Sequence, residues 1–414
     1  MRLNLLAWRN LKRNKRRTLI TAFSVAFGVL LAVTFTASGD YSYTNMINTS
    51  AAMGMGHLTF EPQEYNDNPT LEKRLPDAEA IRKQVTADKA VAAAYIRIIG
   101  PAMFASGARS TGGTFMAIDP AAENPEHNIL LRNLVEGKLF TESSDRGVVV
   151  GARMAEKLGL KLGRKLIFTV TDKNGELTSE LSRVTGIFRT GDDAVDGGIV
   201  LLPMDLVRRT LQYEDRAASL VAVYIEDQRL ASALQRKFAQ TVPLNRGESI
   251  FTWKQTQADL AGLIAVDRMF NYLMQFLVGL VIAAGIMNTI LMSVMERSRE
   301  FGIMIALGMP PVQVTGMVLV ESFWIGISGL LLGVLITAPW FVYMSRVGLD
   351  FSRHIGEDYS AGGVLIDPVM RFRLYGENGL IIMAAVLGLT LLAGLYPALR
   401  AGRIAPVESL KGHH

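Results

Sequence analysis

The chain has 414 residues, half of them hydrophobic, with 43 Lys and Arg against 38 Asp and Glu and no cysteine. A mean hydropathy of +0.25 is too apolar for an ordinary soluble protein, and 20% charged residues is too many for a chain immersed in lipid throughout. A disulfide framework and thiolate-bound metal are excluded outright.

The first 17 residues place Leu3, Leu6, Ala7 and Leu11 on one helical face, with Arg2, Arg9, Lys12, Arg13 and Arg16 largely opposite. Trp8 suits the headgroup level, and the segment 1–17 reads as an amphipathic interfacial helix. Thr18–Ser38 is the first of four apolar blocks; the others are Met269–Val294, Val312–Tyr343 and Leu380–Leu399. A hydrocarbon core of about 30 Å takes roughly 20 helical residues, so each block is long enough to cross it. The basic leader and the small residues Thr36, Ala37 and Ser38 also fit a cleavable signal peptide. The block exceeds a usual h-region, however, and an uncleaved span over 18–38 is expected. Ser24/Gly28 and Ala22/Ala26 are small pairs at helical spacing that could form a dimer face.

Residues 39–268 form a mixed, polar stretch long enough for an independent domain, and its pattern reads α+β. Strand candidates are His57–Glu61, Ala94–Gly100, Thr114–Ile118, Arg146–Val150, Lys165–Thr171, Glu180–Ile187, Gly198–Leu202 and Leu220–Ile225. Helix candidates are Asp77–Thr86, Ala152–Leu158, Met204–Gln212 and Gln228–Gln240. Asp172-Lys173-Asn174-Gly175 between two strand-like runs signals a hairpin. Glu64–Leu75 reads as an exposed loop, and Asp192, Asp193 and Asp196 as a solvated turn. Trp253–Arg268 has helical periodicity and is expected to run unbroken into the second span, 269–294.

Between the second and third spans, residues 295–311 begin with Glu296, Arg297, Arg299 and Glu300. Phe301, Met304, Ile305 and Leu307 follow at helical spacing, then Gly308 and Pro310-Pro311 as a stop. A short amphipathic helix pinned between two spans is expected. The third span (312–345) is followed by a loop over 346–379, a fourth span (380–399) and a basic tail (400–414). Lys and Arg cluster before the first span, after the second and after the fourth. The positive-inside rule therefore places both termini and the 295–311 helix in the cytoplasm, and the 39–268 domain outside. The net charge of +5 thus reflects topology, and a folded basic surface for nucleic acid is not expected.

No phosphate-binding loop, no H-E-x-x-H and no metal-spaced histidine set occurs. Nothing pairs a nucleophile with a base, so no catalytic residue and no metal site is expected in this chain. Glu321 is the one acid well inside an apolar span. It is either an intramembrane functional acid or a carboxylate satisfied by Asn288, a serine or a neighbouring basic residue. Gly326, Gly329 and Gly333 give the same span a smooth packing face.

Three segments carry a resemblance. Ala7–Thr18 (A-W-R-N-L-K-R-N-K-R-R-T), Glu296–Gly308 (E-R-S-R-E-F-G-I-M-I-A-L-G) and Tyr396–Leu410 (Y-P-A-L-R-A-G-R-I-A-P-V-E-S-L) resemble the MacB/FtsX-type permeases of ABC systems. Phe188–Pro203 (F-R-T-G-D-D-A-V-D-G-G-I-V-L-L-P) and the long last loop are more similar to the LolC/LolE lipoprotein-releasing branch. The resemblance implies a bacterial inner-membrane permease with four spans and a large periplasmic α+β domain. It implies a cytoplasmic ATPase dimer that carries ATP and Mg, with no cofactor on this chain, and a second permease copy or paralogue. It assigns ATPase coupling to Glu296, Arg297, Arg299, Glu300, Phe301, Met304, Leu307 and Gly308. A hydrophobic cargo cleft would draw on Phe27, Leu31, Phe35, Phe270, Met274 and Leu277, whose alternative role is simply to face membrane lipid, with a periplasmic lipoprotein carrier as outer partner. Lipoprotein or lipid extraction is the expected output. MacB-like drug or peptide export and FtsX-like activation of a periplasmic hydrolase are the alternatives within the family. A membrane receptor working without ATP is the alternative outside it, disfavoured by the charged 295–311 helix.

Overall fold

Five helices account for the membrane unit of the computed structural model, which describes residues 15–351, 360–361, 364–365 and 369–404. They are α1 (Lys15–Ser50), α2 (Ala258–Glu296), α3 (Ser298–Ala306), α4 (Pro311–Arg346) and α5 (Gly376–Gly402). Four of them, all but α3, are long and apolar enough to cross a membrane, with best-window mean hydropathies of 2.0 to 2.2. The helices outrun the apolar blocks that announced them, because helical hydrogen bonding continues past the apolar window wherever no Gly or Pro stops it. The expected interfacial helix over 1–17 lies outside the described residues up to Asn14, as do the tail from residue 405 and residues 352–359, 362–363 and 366–368 of the last loop.

Glycine decides how closely these helices approach. A Cβ added at Gly329 would meet the Val25 side chain at 2.5 Å, and one at Gly333 would meet Val29 at 2.7 Å, so α4 and α1 touch through these two positions. Gly394 of α5 similarly leaves room for Ser322 of α4. Ala22 and Ala26 are buried inside this contact. Of the two small pairs that could form a dimer face, Ala22/Ala26 is therefore spent within one chain. On the far side, Val281, Leu331, Leu335 and Leu392 are each more than 65% exposed, an apolar surface that only lipid or another apolar partner covers at no cost.

The outer unit, Tyr43–Ala265 with 351–368, is built on a ten-stranded sheet. Its strands are β1 (Leu58–Pro62), β2 (Val91–Ser106), β3 (Arg109–Ile118), β4 (Leu134–Gly137), β5 (Gly147–Gly151), β6 (Lys165–Thr171), β7 (Leu177–Phe188), β8 (Ile199–Pro203), β9 (Leu220–Ile225) and β10 (Glu248–Thr252). The order is β10-β1-β9-β2-β3-β8-β5-β7-β4, with β6 joining β2 and β7. Long β2 organises it. Its first half pairs with β9 and its second half with β3 and β6. All pairings are antiparallel except β3–β8 and β5–β7. Helices Ala78–Thr86, Ala152–Leu158, Met204–Thr210 and Ala231–Thr241 cover the sheet and share one core with it, in which Phe60, Phe104, Phe115 and Phe168 are fully buried.

The β6–β7 hairpin closes where expected, with Asp172 Oδ1 accepting from the Asn174 and Glu176 amides and Gly175 at φ +84°. Three expectations change. Asp192 and Asp196 are 6% and 5% exposed, not a solvated turn. Asp192 caps the short helix Asp193–Gly198, and Asp196 Oδ1 accepts from both the amide and the hydroxyl of Thr190. The Glu64–Leu75 segment is pinned by buried Tyr65, Leu71 and Leu75, because its apolar side chains reach the core while its polar ones stay in water. The helix from Trp253 is interrupted at Gln257 (φ −129°, ψ 59°): a capping box of Thr252 and Gln255 starts Trp253–Thr256 as a separate turn, and α2 begins only at Ala258.

Candidate functional site

The segment between α2 and α4 is a tight elbow. Helix α2 ends at Glu296, Arg297 leaves helical geometry (φ −101°, ψ 12°), and α3 covers Ser298–Ala306. Its exit is a Schellman motif: the Met309 amide donates to Met304 O and the Gly308 amide to Ile305 O, both at 3.0 Å. Gly308 sits at φ +94°, a conformation that disfavours a side chain. Pro310 is extended, and Pro311 opens α4 at the one helical position where a missing N–H costs nothing.

The inner face of the elbow is locked. Arg297 is 7% exposed. Its Nη1 donates to both carboxylate oxygens of Glu321, at 2.9 and 3.0 Å, and its Nε donates to Glu300 Oε2 at 3.1 Å. The guanidinium also lies 4.9 Å from the ring centre of fully buried Phe301. Phe301 packs with Val294, Val314, Met317 and Val318, so the start of α3 is fixed to the end of α2 and to α4. Glu321 is therefore satisfied by a cation from the elbow itself. The signal for this pair was faint, because 24 residues separate its members.

The outer face of the elbow is exposed. Leu307 is 84% exposed, Ile303 42%, Met295 47% and Val312 80%, with Glu296, Arg299 and Gly308 also exposed. The eight expected coupling residues thus divide. Glu296, Arg299, Leu307 and Gly308 point outward, Arg297 and Phe301 inward, and Glu300 and Met304 lie half-buried between. Ile303, which the sequence reading left out, completes an Arg299–Ile303–Leu307 line spaced four residues apart; that spacing was available as a signal. Leu307 leaves the apolar inner set because the helix ends at Ala306 and Leu307 turns off its axis.

An apolar cavity of about 320 Å³ lies among α1, α2 and α5. Of the six expected cleft residues it takes Leu31 and Phe35, and adds Tyr272, Phe276, Ile282 and Leu389. Phe27, Phe270, Met274 and Leu277 are outside the lining and 45% to 56% exposed. An apolar helix carries no amphipathic stripe to say which face turns inward. Gln275 was the usable mark: it lines the cavity and donates to Thr36 and Asn271.

In the outer unit, the chain arriving from α1 and the chain leaving toward α2 meet at one polar joint. His57 Nδ1 accepts from the Ile225 amide at 3.2 Å, which puts the proton on Nε2 to donate to Asn48 Oδ1 at 3.0 Å. Burial and nearby His127 push the imidazole down to about 4, so it stays neutral near neutral pH. Tyr224 donates to Ala51 O and Gln228 to Thr44 Oγ1. Among the described residues, no cluster of three or more His, Cys, Asp or Glu could hold a metal ion.

Comparison with known proteins agrees with this architecture in both halves. The MacB-like periplasmic core domain family matches residues 18–241, and the FtsX-like permease C-terminal family matches residues 272–406. The chain belongs to the MacB/FtsX-like permease family. It is a multi-pass membrane protein with a periplasmic-type extracellular domain, an ABC transporter permease of the MacB/FtsX type. Permeases of this type work with a partner ATPase. The lipoprotein-releasing system transmembrane protein LolE of Haemophilus influenzae is 24% identical over 64% of the chain, and the match spans 65% of that relative. An ABC transporter permease of Methanocaldococcus jannaschii is 22% identical over 98% of the chain and 96% of the relative. The macrolide export ATP-binding/permease protein MacB of Neisseria gonorrhoeae is 22% identical over 96% of the chain and 58% of its own length.

Proposed function

We propose that this permease sits in the bacterial inner membrane with both termini in the cytoplasm, and that a dimer of ATPase subunits, carrying ATP and Mg, pushes on the exposed face of the elbow. The supporting observation is the division of the elbow into a buried half fixed to α2 and α4 and a half, Arg299, Ile303 and Leu307, that is exposed among the described residues. An ATP-bound ATPase dimer presents two equivalent grooves, so a second permease copy or paralogue completes the assembly.

The cargo in this reading is an acylated protein or lipid, lifted from the outer leaflet toward a periplasmic carrier. Similarity to LolE supports it, and so does the apolar cavity, whose volume suits a hydrocarbon chain rather than a folded protein. Export of a drug or peptide is the second reading, favoured by a match to MacB that runs across nearly the whole chain. Photo-crosslinking from position 272 or 276 in native membranes, followed by mass spectrometry, separates them. Acylated protein or lipid on the crosslink is the expected result; capture of small amphipathic molecules or peptides alone would turn the assignment to the second reading.

A further inference from the structure

We infer that Arg297 and Glu321 form a positioning pair that hands displacement of the elbow to α4, rather than a contact with the ATPase. The inference rests on the reading above, in which the elbow receives the stroke, and adds how that stroke leaves it. Arg297 stands at the junction of three helices: it follows α2, is the first residue before α3, and reaches α4. Being 7% exposed, with Nε and Nη1 both engaged inside the chain, it has little surface to offer a partner subunit.

An apolar contact between α3 and α4 would hold equally well after a small slide. A charge pair with two hydrogen bonds from one nitrogen holds in one register only, and breaking it leaves a desolvated charge alone. The pair therefore resists slippage in the direction in which a push on α3 acts. Glu321 is also well placed to pass displacement onward. The next residue, Ser322, is fully buried against Gly394 of α5, and Gly329, two turns further along, meets Val25 of α1. Elbow, α4, α5 and α1 are thus in series through close contacts, with Arg297–Glu321 as the ionic link from the elbow to α4.

The test uses the full chain in lipid nanodiscs, copurified with its ATPase. Because the chain has no cysteine, a single introduced thiol at Leu307 or at Val347, both exposed, reports one end of α3–α4 through a spin label. In the native chain, ATP with vanadate is expected to change the spectrum at both positions. In Arg297→Gln or Glu321→Gln the change persists at 307 and falls about tenfold at 347. The charge swap Arg297→Glu with Glu321→Arg restores it, which a purely structural loss would not allow. A full change at 347 in the single variants overturns the inference and leaves the elbow reading standing. Absence of any change at 307 in the native chain sinks the elbow reading and the inference with it. A single variant that no longer copurifies with the ATPase, and a swap that does not regain it, would assign Arg297 to docking and overturn the inference too.

Discussion

Ser50 Oγ donates to Gln257 Oε1 at 2.5 Å, which ties the last residue of α1 to the one non-helical residue before α2. Both residues lie inside the outer unit, 207 positions apart. Gln257 departs from helical geometry just where its side chain makes the tie, so the break and the bond are one feature. Gln257→Ala should remove the acceptor and leave the buried Ser50 hydroxyl unsatisfied, costing about 1–3 kcal/mol locally. Hydrogen exchange of the 51–57 amides is the measurement. Faster exchange there, with the β5–β8 core unchanged, is expected; unchanged exchange at 51–57 would mean the tie contributes nothing.

His57 gives the joint a pH dependence with a definite sign. Its folded pKa of about 4 lies below the ordinary histidine value of 6.5, so the unfolded chain takes up a proton that the folded chain refuses. The stability it contributes is complete above pH 6.5 and is lost as pH falls from 6.5 to 4, by roughly 3 kcal/mol. Protonation would also fill Nδ1, which now accepts from the Ile225 amide. Denaturant unfolding of the outer domain between pH 7 and 4 should show this slope, and a variant with Gln at 57 should lose it.

Glu61 works in the opposite direction. It is fully buried in β1, and among the described residues neither carboxylate oxygen has a partner within full hydrogen-bond geometry. Burial pushes its pKa from 4.5 up to about 7; Asp67 adds to the shift, and the nearby Asn66 amide offsets only part of it. The stability it contributes is present below pH 4.5 and declines as pH rises toward 7, again by roughly 3 kcal/mol. Glu61→Gln should raise the melting temperature at pH 8 relative to pH 4.5 by several degrees more than in the native chain. Equal shifts at the two pH values would show that Glu61 is charged in the fold.

The span count, the α+β class and most strand positions were legible because they rest on apolar runs and turn residues that act locally. Lys165–Thr171 and Leu220–Ile225 came out to the residue. β4 and β10 did not, since Leu134–Gly137 is mostly exposed and Glu248–Thr252 is short, and both are strands by virtue of their partners β7 and β1. At the elbow the type of element, its charged start and its Gly-Pro stop could be read directly. Which charges face inward could not, because Arg297 and Arg299 look alike until Glu321 arrives from another helix. The cavity followed the same rule: its lining includes Leu31 and Phe35, while the inward face of α2 depends on how α5 packs against it.

The close approach of α4 to α1 predicts a sharp asymmetry among the glycines of the third span. Gly329 and Gly333 face Val25 and Val29 at distances no side chain can share, whereas a Cβ at Gly316, in the same helix, meets nothing within 4 Å. Gly329→Val should force the helices apart and cost about 1–3 kcal/mol or more, as overpacking does in a dense interior. Gly316→Ala should be neutral or slightly stabilising, since alanine restrains the unfolded chain and suits a helix. Thermal unfolding in detergent with size-exclusion detection measures both. The expected outcome is a lower melting temperature and aggregated material for the first variant only. Equal tolerance of the two substitutions would mean that α1 and α4 do not pack through Gly329, and that displacement of α4 has no direct route to α1.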